Sequence, residues 1–156
     1  MPTQLDQDID RITKAVTAPG QMFELTEVTR RGVTMPAFKN APPSVVHYLA
    51  YFCNEKKDET FIVEGDQRMT FGEVWHAATH VAHSLATEHG IEKGDRVGIA
   101  ARNSSNWIVA YMGILMAGGC ATLLNGWWTG EELAYGIKLC ECKLVLADPQ
   151  RAARLE

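Results

Sequence analysis

Three histidines, His76, His80 and His83, stand at i, i+4 and i+7 and share one face of a helical segment. Two imidazoles so spaced can hold a metal ion. That face lies opposite the Trp75, Ala78 and Leu85 stripe, and no carboxylate stands at ligand spacing, so the expectation is a solvated polar face. Of the four cysteines, Cys53, Cys120, Cys140 and Cys142, only the last two are close. No second pair completes a zinc pattern, and free thiols in a reducing cytosol are expected. Asp95 and Asp148 fall at a turn and a strand end, while Ser44, Ser104 and Ser105 precede helical patterns and read as caps. Nothing in this set joins a nucleophile to its base.

Phosphate-binding turns are missing as well. A dinucleotide fold places Gly-x-Gly-x-x-Gly after a strand, but RVGIAA is followed by RNSSNW. No Gly-rich loop ends in Gly-Lys-Ser/Thr. The remaining candidate is LLNGWWTGEE, residues 123–132, where Trp127 and Trp128 follow an apolar run. Ligands of open α/β sheets sit beyond the carboxyl ends of the strands, so an aromatic-lined pocket is conceivable there. Packing of both rings, on the sheet edge or on a neighbouring domain, is the expectation, because aromatic rings chiefly contribute buried area.

These residues need elements to position them, and 156 residues suffice for a domain with a real core. Hydrophobic content of 46% and charged content of 22% are ordinary globular values. A net charge of −4 gives no electrostatic case for nucleic acid. The opening MPTQLDQDID is polar and acidic, unlike a secretory or mitochondrial leader, and a cytoplasmic protein is expected. Residues 103–130 carry no charge, a length that could cross a bilayer. Gly118-Gly119 interrupts the run and CATLL reads as a separate buried strand, so no transmembrane segment is expected.

Leu5, Ile9, Ile12 and Val16 predict a helix ended by Pro19-Gly20. An irregular stretch with a possible short strand at 23–25 follows, and the proline-rich MPAFKNAPP predicts an extended arm. Residues 1–43 are thus read as helix and arm, and 44–156 as an incomplete α/β domain. In the latter, Ser44 caps a helix, and TFIVEG with QRMT predicts a hairpin around Gly65-Asp66. Thr70-Phe-Gly-Glu73 is a capping box opening an amphipathic helix that stops at Gly90. RVGIAA, CATLL and KLVLA are apolar strands separated by helices, the second opened by the capping box Thr129-Gly-Glu-Glu132. The predicted class is therefore α/β, a partial parallel sheet with helices on both faces. The alternation is cut off after Pro149, which suggests a sheet continued elsewhere.

From Arg68 onward the order of these segments resembles the amino-terminal region of adenylate-forming enzymes, the acyl-CoA synthetase branch above all. The likeness rests on Thr70-Phe-Gly-Glu73, Gly90-Ile-Glu-Lys-Gly-Asp-Arg-Val97, Asn103, Ala117-Gly-Gly119 and Asn125-Gly-Trp-Trp-Thr-Gly-Glu-Glu-Leu133. Gly126 stands where many relatives have proline. APGQMFEL with the arm after it is similar to the leader of medium- and long-chain acyl-CoA ligases. The resemblance covers about two-thirds of the chain. It implies conversion of a carboxylic or fatty acid, ATP and coenzyme A into acyl-CoA, AMP and pyrophosphate, with magnesium. The Ser/Thr/Gly-rich phosphate loop, the ribose-binding acid and the carboxy-terminal lysine of such enzymes have no match here. No catalytic, cofactor-binding or metal residue is carried over, and a fragment inactive alone, prone to self-association, is expected. The alternative is a stand-alone, non-catalytic α/β binding or interaction module.

Overall fold

The computed structural model describes residues 2–156, which form two compact units divided between Pro43 and Ser44. In the first, helix α1 (Gln4–Val16) is opened by a capping box in which the Thr3 hydroxyl accepts from Asp6 N–H while Thr3 N–H donates back to the Asp6 carboxylate. Its Leu5, Ile9, Ile12 and Val16 stripe is exposed. The next segment corrects the expected arm. Residues 25–38 form an antiparallel hairpin of β1 (Leu25–Arg30) and β2 (Val33–Phe38), closed by Arg31-Gly32 with both φ positive, at 51° and 78°. Such a two-residue turn matches the twist of its strands. Counting from the closing pair Arg30–Val33, Pro36 opposite Glu27 falls at a non-hydrogen-bonded position, where its missing N–H costs no ladder bond. The nearby Pro42 and Pro43 lie beyond the strand, and only Pro36 stands within it.

The second unit begins with α2 (Val45–Glu55), capped by Ser44, and the hairpin β3 (Thr60–Glu64) and β4 (Gln67–Thr70). Helix α3 (Phe71–Thr87) opens on the Thr70–Glu73 capping box. Then come β5 (Arg96–Ala100), α4 (Ser105–Met116), β6 (Cys120–Leu123), α5 (Gly130–Leu139), β7 (Leu144–Ala147) and the short α6 (Pro149–Ala152). The apolar run 103–130 is thus a twelve-residue helix and a strand, joined through Gly118 at φ 84°. Among the described residues no helix is long and apolar enough to cross a membrane.

Strands β5, β6 and β7 form a parallel sheet in the order β6-β5-β7. Alternate residues of β5 serve opposite faces. Val97 and Ile99 pack with Leu85 of α3 and Ile114 of α4, whereas Ala100 packs with Leu124 and with Leu133 of α5. Helices therefore cover both faces of the sheet. Helices α3 and α4 approach closely at Gly113, where an added Cβ would lie 2.6 Å from Val81 Cγ1.

Candidate functional site

The order β6-β5-β7 makes the chain leave β5 toward one face and β6 toward the other. The loops at 101–104 and 124–129 therefore diverge, which opens a crevice beyond the carboxyl ends of β5 and β6, the position where open α/β sheets take ligands. It encloses about 430 Å³ and is lined by Arg102, Asn103, Trp107, Asn125 and Trp127 among others.

Each wall has a local cause. Asn125 Oδ1 accepts from Trp127 N–H at 3.0 Å, a side-chain turn that bends the loop just past the strand. Trp128 folds inward against α5, so close that a Cβ on Gly136 would sit 2.8 Å from its ring. Trp127 does not pack on the sheet edge. It is 74% exposed, with the Arg102 guanidinium carbon 5.1 Å from its ring centroid.

Two arginines beyond α6's start tie this loop down. Arg151 is only 2% exposed; its Nε donates to the Gly126 carbonyl at 2.7 Å and its Nη1 meets the Asp148 carboxylate at 3.2 Å. Arg154 Nη1 donates to the Trp128 carbonyl at 2.7 Å. Asp148 in turn accepts from Arg102 N–H at 3.0 Å and from Arg151 N–H, capping α6 and joining both loops. Partial burial pushes the Asp148 carboxyl up, but these donors outweigh it and hold it below the ordinary aspartate value.

Charge at the helix starts decides what the site can hold. The amino end of α4, where a phosphate would settle, already carries a carboxylate: Glu64 Oε2 accepts from Ser105 N–H at 2.8 Å. Ser104 Oγ accepts from Trp107 N–H at 3.2 Å. At α5 the Glu132 carboxylate accepts from Thr129 N–H at 2.8 Å. The turn RNSSNW supplies no glycine for close backbone approach. These residues do not fit the triphosphate of ATP.

The Ser105 N–H and hydroxyl hold the Glu64 carboxyl below its ordinary value. A lowered folded pKa gives stability that is fully present above the unfolded glutamate pKa and is lost as pH falls through the folded value. Glu64→Gln is therefore expected to lower the denaturation midpoint at neutral pH, with the difference from wild type vanishing in acid. An equal difference at both pH extremes would remove the charge from this explanation.

The other sequence candidates stay apart from the crevice. Asp95 lies at the opposite, amino end of β5, where its carboxylate accepts from Lys143 Nζ at 2.6 Å and from Glu92 N–H at 2.8 Å. Lys143 is the main cause of its lowered pKa. Ser44 and Ser104 are helix caps. His76, His80 and His83 are exposed on α3, as their spacing opposite the apolar stripe predicts. All four cysteines are free, with Cys53 buried. Burial raises the thiol pKa of both Cys53 and Cys142. Among the described residues there is no group of three or more His, Cys, Asp or Glu able to hold a metal. Arg151 and Glu64 escaped the sequence reading, since their partners stand 25 and 41 residues away and no local spacing announces either.

Comparison with known proteins bears on this fold directly. Residues 49–156, more than two-thirds of the chain, match the AMP-binding enzyme family. The FR901469 synthetase of a Dothideomycetidae species is 33% identical over 120 residues, which is 74% of this chain and 1% of that protein. The medium/long-chain-fatty-acid–CoA ligase FadD6 of Mycobacterium tuberculosis is 34% identical over 91 residues, 58% of this chain and 15% of that one. The crystal structure of the anthranilate CoA ligase AuaEII in complex with anthranoyl-AMP superposes with a TM-score of 0.70 at 22% identity, a likeness of fold over 74% of this chain and 23% of that one.

Proposed function

The chain belongs to the AMP-binding enzyme family, and from that premise we propose that it supplies the amino-terminal sheet segment of an ATP-dependent acyl-CoA synthetase. The overall reaction proposed for the parent joins a carboxylic or fatty acid to coenzyme A, converting ATP to AMP and pyrophosphate with magnesium. A carboxylate is a poor electrophile, and activation as a mixed anhydride with AMP supplies a good leaving group. This chain's residues position scaffold and hold no ATP phosphate, so the chemistry is assigned to polypeptide outside them. A cytoplasmic setting belongs to the same proposal, and the free thiols suit it.

The observation that carries this reading is the family match on a sheet of only three strands. The chain spans no more than 15% of the length of the two curated relatives compared above, and the outer edges of β6 and β7 have no strand partner among the described residues. Beside the β6 edge, Leu123, Tyr135 and Leu139 are 55%, 68% and 67% exposed. Together with Leu124 and Trp128 they line an apolar groove of about 560 Å³. The stand-alone binding module is the second reading, favoured by the polar crevice at the strand ends. The coding frame past Glu156 separates the two. A Ser/Thr/Gly-rich loop with lysine supports the ligase, and an immediate stop codon supports the module.

The same groove predicts self-association of the isolated chain, since contiguous exposed apolar surface tends to be covered. Sedimentation velocity should show a concentration-dependent dimer or larger species, diminished by Leu139→Lys. A strictly monomeric profile at high concentration, with wild type and variant alike, would contradict it.

A further inference from the structure

On α3, His76 and His80 stand one turn apart, and their Nε2 atoms come within 3.4 Å of each other. The ring centroids are 4.5 Å apart with the planes inclined at 75°. At this distance one ring nitrogen reaches the other as a hydrogen-bond donor, which brings the two metal-binding atoms to one small region. In the neutral pair a single proton fills it, donated by one ring and accepted by the other. A cation can take its place.

We propose that His76 and His80 together bind one divalent transition-series cation, zinc(II) in the first instance, as a two-imidazole site on the exposed face of α3. Zinc–nitrogen bonds measure about 2.0–2.1 Å, so an ion equidistant from nitrogens 3.4 Å apart makes an N–Zn–N angle of about 110°, close to tetrahedral. The exposure of both rings leaves the remaining coordination positions to water. When the ion binds, the proton on the donating Nε2 moves to Nδ1 of the same ring by exchange with solvent, so no net proton leaves the neutral pair. Imidazole ligands select zinc, nickel and copper over magnesium and calcium, which require oxygen ligands. The spacing of the histidines allows a metal ligand pair or a solvated polar face, and the nitrogen separation favours the ligand pair.

Isothermal titration of the full chain with zinc chloride at neutral pH tests the proposal. One-to-one saturable binding is expected, with no heat from magnesium chloride. His76→Asn and His80→Asn should each weaken it by at least about tenfold, the scale of metal-site perturbations. His47→Asn and His89→Asn should leave it unchanged. In parallel, the ring resonances of His76 and His80 should shift together in nitrogen-15 spectra. Both rings are exposed, so the variants are expected to keep the wild-type circular dichroism. Binding that survives both key substitutions would assign the ion to the thiols or elsewhere and overturn the proposal, as would the absence of saturable binding.

Discussion

Replacing Arg151 with methionine should lower the unfolding free energy by about 2 kcal/mol, because the buried guanidinium serves acceptors that would lose their donor while its Asp148 partner stays partly exposed. The guanidinium is 2% exposed and serves the Gly126 carbonyl, the Asp148 carboxylate and Gln150 Oε1 at once. Methionine fills much of the volume but leaves Asp148 without its cationic partner. Asp148 would keep its backbone donors, Arg102 N–H and Arg151 N–H, so the cost stays well short of stranding a bare charge. Lysine should recover little, because a point charge cannot reach the carbonyl and the carboxylate together. Denaturant unfolding measures the loss, and amide exchange should quicken in residues 125–129 ahead of the rest. A loss under about 1 kcal/mol would mean that the clamp is not what holds the tryptophan loop.

Gly113→Ala is the second large effect, expected to cost about 2 kcal/mol even though alanine favours helix by about 1 kcal/mol. The new methyl would lie 2.6 Å from Val81 Cγ1, 2.7 Å from Val81 Cβ and 3.1 Å from the Ala78 carbonyl oxygen. A valine in a helix has almost one rotamer and cannot swing aside, so α3 and α4 must separate. Their seam carries the core of Val74, Ala78, Val109 and Met112, which would loosen with them. Adding Val81→Gly, which removes both of the close carbons where Val81→Ala would leave the Cβ at 2.7 Å, should give a favourable coupling in a double-mutant cycle. Additive losses would place the strain somewhere other than this contact.

The second unit was legible because local and long-range signals agree there. Thr70 with Glu73 and Thr129 with Glu132 form the capping boxes that their spacing predicts, and the three apolar runs become the parallel sheet. Gly118 breaks the uncharged stretch where its position suggested. In the first unit the same approach failed at Pro36, because a proline excludes only hydrogen-bonded strand positions and composition does not reveal which kind it occupies. The turn Arg31-Gly32 was the available signal. At the crevice, Trp128 takes the expected packing within this unit, whereas Trp127 stays exposed, where only a neighbouring domain could cover it. Gly136 gives room to the Trp128 ring, and Trp127 is left facing outward beside Arg102. The seating of Glu64 at α4 depends on how the β3–β4 hairpin is set against that helix, a tertiary fact with no sequence period.

The most direct measurement is carboxylic-acid-dependent exchange of labelled pyrophosphate into ATP. It would be run on the purified 156-residue chain and on any product of a reading frame that continues past Glu156. Exchange by the longer protein with a fatty acid or other carboxylic acid, and none by the folded short chain, is the expected result. Exchange by the short chain on its own would contradict the assignment of these residues to scaffold.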